Sequence, residues 1–141
     1  MITFDLEQSR VPPEHRLTRQ RLAKLAASLD RRLRTKPQGQ VAISFVTDHE
    51  IRRLNRMYRS KDAVTDVLSF AAPADDLSGQ LGDVLVSYDQ AVRQAEDADI
   101  ELELADLVVH GVLHVLGFDH EQPADAEVMF PLQDNIVADI L

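Results

Sequence analysis

Hydrophobic and polar residues alternate at the start of the chain, with Ile2, Phe4 and Leu6 on one side, the period of a strand with one buried face. Pro12 and Pro13 then punctuate the entry to a helix predicted over about residues 14–34, whose Leu22, Leu25, Ala26, Leu29 and Leu33 share one stripe. Pro37 and Gly39 break that pattern, and residues 41–46 are an apolar, β-branched run suited to a central strand. Thr47 with Glu50 three residues on reads as a capping box for a helix carrying Ile51 and Leu54. A strand over residues 64–70, a polar loop over 71–79 and a strand over 81–87 follow, then a short helix over 88–96 turning Ala91, Val92 and Ala95 inward. Asp99 is placed to cap a long apolar helix, with Glu101, Glu103 and Asp106 early on its dipole. A final helix over about residues 124–140 repeats Val128, Leu132, Ile136 and Ile140 at a spacing of four. This order predicts an α/β (α+β) fold, a small mixed sheet of about four strands packed with about five helices. With 141 residues and no internal repeat or linker, the expectation is a single domain over 1–141 that buries about two-thirds of its unfolded surface.

The long apolar helix carries the chemistry. It ends in HGVLHVLGFDH, residues 110–120, and between Leu107 and Phe118 the only strongly polar side chains are His110 and His114. Four residues apart on a helix turning about 100° per residue, the two imidazoles lie on one face. Gly117 follows where a left-handed residue can end the helix, and Phe118 and Asp119 give the chain room to double back and present His120. Buried imidazoles need partners, and three nitrogens converging on one ion leave a fourth position free, the catalytic rather than the closed structural arrangement of zinc. The helix is apolar almost all round, so it should be the central one.

Composition narrows the choice of ligand. The chain has no cysteine, which removes disulfides, thiolate ligands and Cys nucleophiles together. No apolar run reaches the roughly 20 residues of a membrane span, and MITFDLEQSR lacks a signal-peptide pattern, so a cytoplasmic enzyme with no membrane association is expected. The net charge of -9 is unevenly spread: residues 1–70 hold 14 Lys and Arg against 8 Asp and Glu, whereas residues 71–141 hold 1 against 16. Solvated helices account for such a split, and so does a phosphate-binding surface in the first half, so overall acidity does not exclude RNA.

The spacing HxxxHxxGxxH is also that of the long zinc-protease motif, in which the residue after the first histidine is the general-base Glu. Here it is Gly111, which removes the proton carrier of peptide hydrolysis and suggests open space beside the ion for an anionic substrate. A second concentrated segment, residues 52–70, mixes guanidinium, amide, phenol and carboxylate groups just before a strand. Its pattern RxxNxxYRxxDxxTDVLSF, followed by a GDVLVS strand and then HGVLHVLGFDH, closely resembles the bacterial YbeY family of rRNA maturation endoribonucleases. The resemblance runs from about Val41 to the C-terminus and includes Met129; Val115, Phe118 and Gln133 depart from the commoner Leu, Tyr and acidic residue.

The resemblance implies a zincin-like domain binding one Zn2+ ion, with His110, His114 and His120 as metal ligands and His114 and Arg59 in the catalytic set. It implies ribosomal RNA as substrate, chiefly the 3′ end of the small-subunit RNA, with the small subunit and assembly factors as partners and a part in ribosome quality control. Three imidazoles suit zinc, though nickel or cobalt also fit. Such an ion would activate water or polarise a phosphate oxygen, while Arg59 would hold phosphate through its planar fork. Both water and the RNA's own 2′-hydroxyl fit as nucleophile. Asp106 and Asp119 are candidate acceptors for ligand N–H groups, with helix capping or solvent exposure as their alternative, and Thr65, Asp66 and Ser69 read as structural. Two rival functions stand beside this one: a zinc metalloprotease or other metal hydrolase, and a non-catalytic assembly factor that uses zinc structurally.

Overall fold

The structure, a computed structural model, describes residues 1–96 and 99–141. The opening alternation forms β1 (Ile2–Glu7), with Ile2 buried and Thr3, Asp5 and Glu7 exposed. The first helix, α1 (Arg19–Arg32), starts five residues later than the sequence pattern suggests. Pro13–His15 make a separate 3-10 turn, buried Leu17 lies outside the helix, and the Thr18 side chain caps it by accepting from the Arg21 amide. A capping hydroxyl beside an extended buried residue sets the boundary that apolar periodicity alone misplaces.

The strands β2 (Gly39–Val46), β3 (Val67–Ala71) and β4 (Gln80–Ser87) complete a sheet of order β1-β2-β4-β3. β1, β2 and β4 run parallel and β3 pairs antiparallel with β4, so the sheet is mixed as expected. β3 begins at Val67 rather than at 64; just before it the Asp66 side chain accepts from the Val67 amide while the Asp66 carbonyl accepts from the Ser87 amide at the end of β4. Between Gln40↔Gln80 and Val41↔Gly82 the register slips by one residue, which leaves Leu81 as a bulge in β4.

Helix α2 (Asp48–Arg59), capped by Thr47 as its sequence suggests, buries Ile51 and Asn55. Tyr88–Ala95 form α3, and α4 (Ile100–Val115), capped by Asp99, buries nine residues against β3, β4, α3 and α5 (Pro123–Ile140). α4 is therefore the central helix that its apolar circumference predicts. In α5 the spacing-of-four series marks the buried face only in its second half: Ile136 and Ile140 are buried, together with Met129, Gln133 and Val137, while Val128 is 59% exposed and Leu132 half-buried. In the first half Met129 and Gln133, each one residue beyond a member of the series, take the inward positions.

Gly111 is explained by packing. A Cβ there would lie 2.5 Å from Val84 Cγ1 and 3.2 Å from Val67 Cγ2, so the glycine lets α4 press onto the sheet. The space it frees faces two valines and not the histidines, which corrects the reading of Gly111 as room for substrate. Gly111→Ala is expected to lower the urea midpoint. The overpacking cost of about 1–3 kcal/mol exceeds the roughly 1 kcal/mol that alanine gains over glycine in a helix. An unchanged midpoint would refute this account of the close approach.

Candidate metal centre

Residues 113–118 build the bend that the site needs. The Gly117 amide donates to the His114 carbonyl and the Phe118 amide to the Leu113 carbonyl, and Gly117 has φ 101°. This is a Schellman closure: the left-handed glycine ends α4 one residue beyond Leu116 and reverses the chain. The returning segment places the His120 ring against the last turn of the helix. Ring centroids are 4.6 Å apart for His110 and His114, 5.2 Å for His110 and His120, and 5.1 Å for His114 and His120. One nitrogen from each of the three lies within 4.8 Å of the others, so the trio could hold a metal ion.

Hydrogen bonding decides which nitrogens face inward. The Asp106 carboxylate accepts from the Gln133 amide nitrogen at 2.9 Å, which turns the amide oxygen of Gln133 toward His110 Nδ1 at 2.7 Å. An amide oxygen only accepts, so Nδ1 carries the hydrogen and Nε2 presents a lone pair. That Nε2 lies 3.1 Å from His114 Nε2. Two ligands about 2.0–2.1 Å from a tetrahedral zinc ion would sit about 3.3 Å apart, so the spacing fits a shared ion. His114 is half-buried. Its burial, reinforced by His110 and His120, lowers its pKa, and Asp119 with a Phe118 backbone hydrogen bond only partly opposes this. The neutral imidazole that a metal requires is thereby favoured.

Arg59 stands across an open cavity of about 410 Å³ whose lining also includes His114, Asp119, His120 and Glu121. It occupies the last turn of α2, which stops at left-handed Ser60. The chain beyond is pinned twice: Asn55 Nδ2 donates to the Ala63 carbonyl at 2.9 Å, and Arg52 pairs with Asp62 at 2.8 Å. Two distant motifs therefore meet at one cavity.

Residues 3–141 match the family described as Endoribonuclease YbeY. The chain belongs to that family. It is 41% identical over 140 residues to Endoribonuclease YbeY of Limosilactobacillus fermentum, covering 89% of this chain and 87% of that protein. Endoribonuclease YbeY of Lysinibacillus sphaericus is 38% identical over 148 residues, covering 96% and 92%. Among solved structures, the solution structure of TM1509 from Thermotoga maritima superposes with a TM-score of 0.63 at 27% identity, covering 99% of this chain and 89% of that one.

The supporting residues differ from expectation. Asp106 reaches His110 only through Gln133, and Asp119 accepts from the His120 backbone amide at 2.7 Å, with no imidazole N–H recorded as its donor. Asp119 thus shapes the turn. Gln133, noted in the sequence only as a departure from the family, carries the direct bond. Its signal was the missing apolar residue on the buried face of α5, legible only once that face is known. Thr65 and Asp66 have structural roles, as their sequence context suggests: Thr65 donates to Asp66, which accepts from the Val67 amide and, across the fold, from the Gln94 side chain at 3.2 Å. Phe130, unremarked in the sequence, stacks on His120 at 5.3 Å. Gln133→Leu is expected to weaken metal binding about 10–100-fold in a competitive chelator titration, because it strips His110 of the acceptor that fixes its tautomer. Unaltered affinity would mean that the tautomer is set elsewhere.

Proposed function

We propose that this chain is a metal-dependent endoribonuclease that matures ribosomal RNA, acting at the 3′ end of the small-subunit RNA and in ribosome quality control. The observation that carries the reading is that Arg59 shares one open cavity with His114 and His120 of the three-histidine cluster, in a chain of the YbeY family. In this proposal residues 1–141 form one catalytic domain working in the cytoplasm beside the small subunit and its assembly factors. Among the described residues no helix is long and apolar enough to cross a membrane.

His110, His114 and His120 would hold one ion, for which zinc is the best match to three neutral imidazoles. When bound, such an ion supplies Lewis acidity toward a phosphate oxygen or water. The residues around it do the remaining work. Gln133 and Asp106 keep the His110 hydrogen on Nδ1, so that Nε2 presents its lone pair to the ion. Arg59 binds phosphate through paired N–H donors and offsets the charge that develops at phosphorus. Gly111 offers no side chain for the proton-carrying role that a peptidase assigns to a glutamate there.

The test is cleavage of ribosomal RNA by purified, metal-loaded protein. Discrete RNA fragments that vanish with His114→Ala are expected. RNA left intact while peptides are hydrolysed would replace this reading with the protease. Cyclic phosphate ends on the fragments would assign the attack to the 2′-hydroxyl, whereas 5′-phosphate with 3′-hydroxyl ends, which that route cannot produce, would assign it to water.

A further inference from the structure

A second cavity, of about 590 Å³, neighbours the cavity at the metal centre, and Phe118 is among the residues lining both. Its floor is apolar: Leu116 and Phe118 come from the end of α4, Val128 and Leu132 from α5, and Leu81 from the β4 bulge. Val128 and Leu132 are the positions of the spacing-of-four series that α5 leaves uncovered. The charged residues lining this cavity are two arginines, in a chain of net charge -9. Arg32 is held by Asp139 at 2.8 Å and frames the wall, while exposed Arg34 stands at the rim.

We infer that this groove is a nucleobase subsite, holding one unstacked base of single-stranded RNA next to the phosphate at the metal centre. The inference rests on the proposed ribonuclease function. Its volume and its apolar lining with few polar groups are those of a small-ligand site. Three features favour a nucleotide as the occupant. Phe118, which lines both cavities, is an aromatic residue of the kind single-strand binders use for stacking. A rim of arginine complements a phosphate and disfavours a cationic partner. Because one residue, Phe118, borders both cavities, the groove lies close enough to the metal centre to take the nucleotide flanking the cleaved bond. The bulge is the device that turns Leu81 to this side, so the floor is built by the fold.

The experiment uses metal-loaded protein and a single-stranded RNA oligonucleotide in which each base near the cleavage site is replaced in turn by an abasic ribose. At one flanking position, loss of the base is expected to raise KM about tenfold with kcat within about twofold. Val128→Glu, at an exposed site that leaves folding intact, is expected to raise KM for the intact RNA similarly and to abolish the further penalty for the abasic one. Val92→Glu, an equal charge change on α3 at a residue 41% exposed, controls for charge and is expected to alter neither. RNA that is cleaved with a flat abasic scan, or with a penalty unchanged in Val128→Glu, overturns the subsite while the ribonuclease stands. A Val128→Glu protein with wild-type KM likewise overturns it and leaves the groove to a protein partner. RNA that is not cleaved by metal-loaded wild type overturns the enzyme reading, and the subsite falls with it.

Discussion

Replacing His114 with alanine is expected to lower RNA cleavage by at least about three orders of magnitude while leaving the protein folded. His114 contributes one of three converging nitrogens, and with His110 it forms the closest ligand pair, at 3.1 Å. Without it, two imidazoles remain, one from the helix and one from the exposed turn, and they hold a divalent ion poorly. A thousandfold loss corresponds to about 4 kcal/mol of transition-state stabilisation, within the range that metal-assisted catalysis supplies. The fold should survive, because His114 is only half-buried and alanine is the best helix former. Three measurements check this together: metal content, cleavage rate and thermal unfolding. Added zinc should raise the melting temperature of the wild type, since an ion present at 100 times its Kd adds about 2.7 kcal/mol, and should barely move that of the variant. Chelation of the wild type should reproduce the variant's inactivity. A variant that fails to fold would instead support the structural use of zinc, and one that cleaves normally would remove His114 from the site.

The parts of this site that were legible in the sequence are those with short-range geometry. His110 and His114 share a face because helical period dictates it, and Gly117 announces the reversal that brings His120 back. The element order likewise points to a small mixed sheet of about four strands, whereas the strand order β1-β2-β4-β3 emerges only from the fold. What escaped was set by contacts across the fold. Gly111 is glycine because of Val84 and Val67, which are distant in sequence, so a local reading assigned its space to the wrong neighbour. In α5 the spacing of four coincides with the buried face at Ile136 and Ile140, but one turn earlier Gln133, bonded to His110 and Asp106, takes the inward position and Leu132 lies only half-buried. Residue type and proximity in sequence make Asp106 and Asp119 candidates, but in the fold one acts through an amide and the other caps its own turn. Arg59 needed the family resemblance, because nothing local indicates that the end of α2 faces the end of α4.

Arg59→Glu is expected to reduce kcat about 100- to 1000-fold with the metal still bound. Arg59 is exposed on the final turn of α2 and lines the cavity opposite His114 and His120. A guanidinium there can donate two parallel bonds to phosphate, and removal of one preorganised donor at developing charge typically costs about 2.7–4 kcal/mol. A glutamate adds repulsion, so KM should also rise. Arg59→Lys keeps the charge but loses the fork, and an intermediate loss of about tenfold is expected, with kcat affected more than KM. Stability should change by no more than about 0.5 kcal/mol, as for other exposed substitutions. Arg56→Glu supplies the control for charge alone: it sits one turn earlier on α2, beside Arg52 and Arg53 in a separate depression of about 330 Å³. Its effect on cleavage should stay within a few-fold and should shrink as salt is raised, because it acts by long-range attraction of RNA. The Arg59→Glu deficit should persist in salt. If both variants lose activity equally, or if Arg59→Glu cleaves RNA normally with its metal in place, the end of α2 has no part in the reaction beyond attracting the strand.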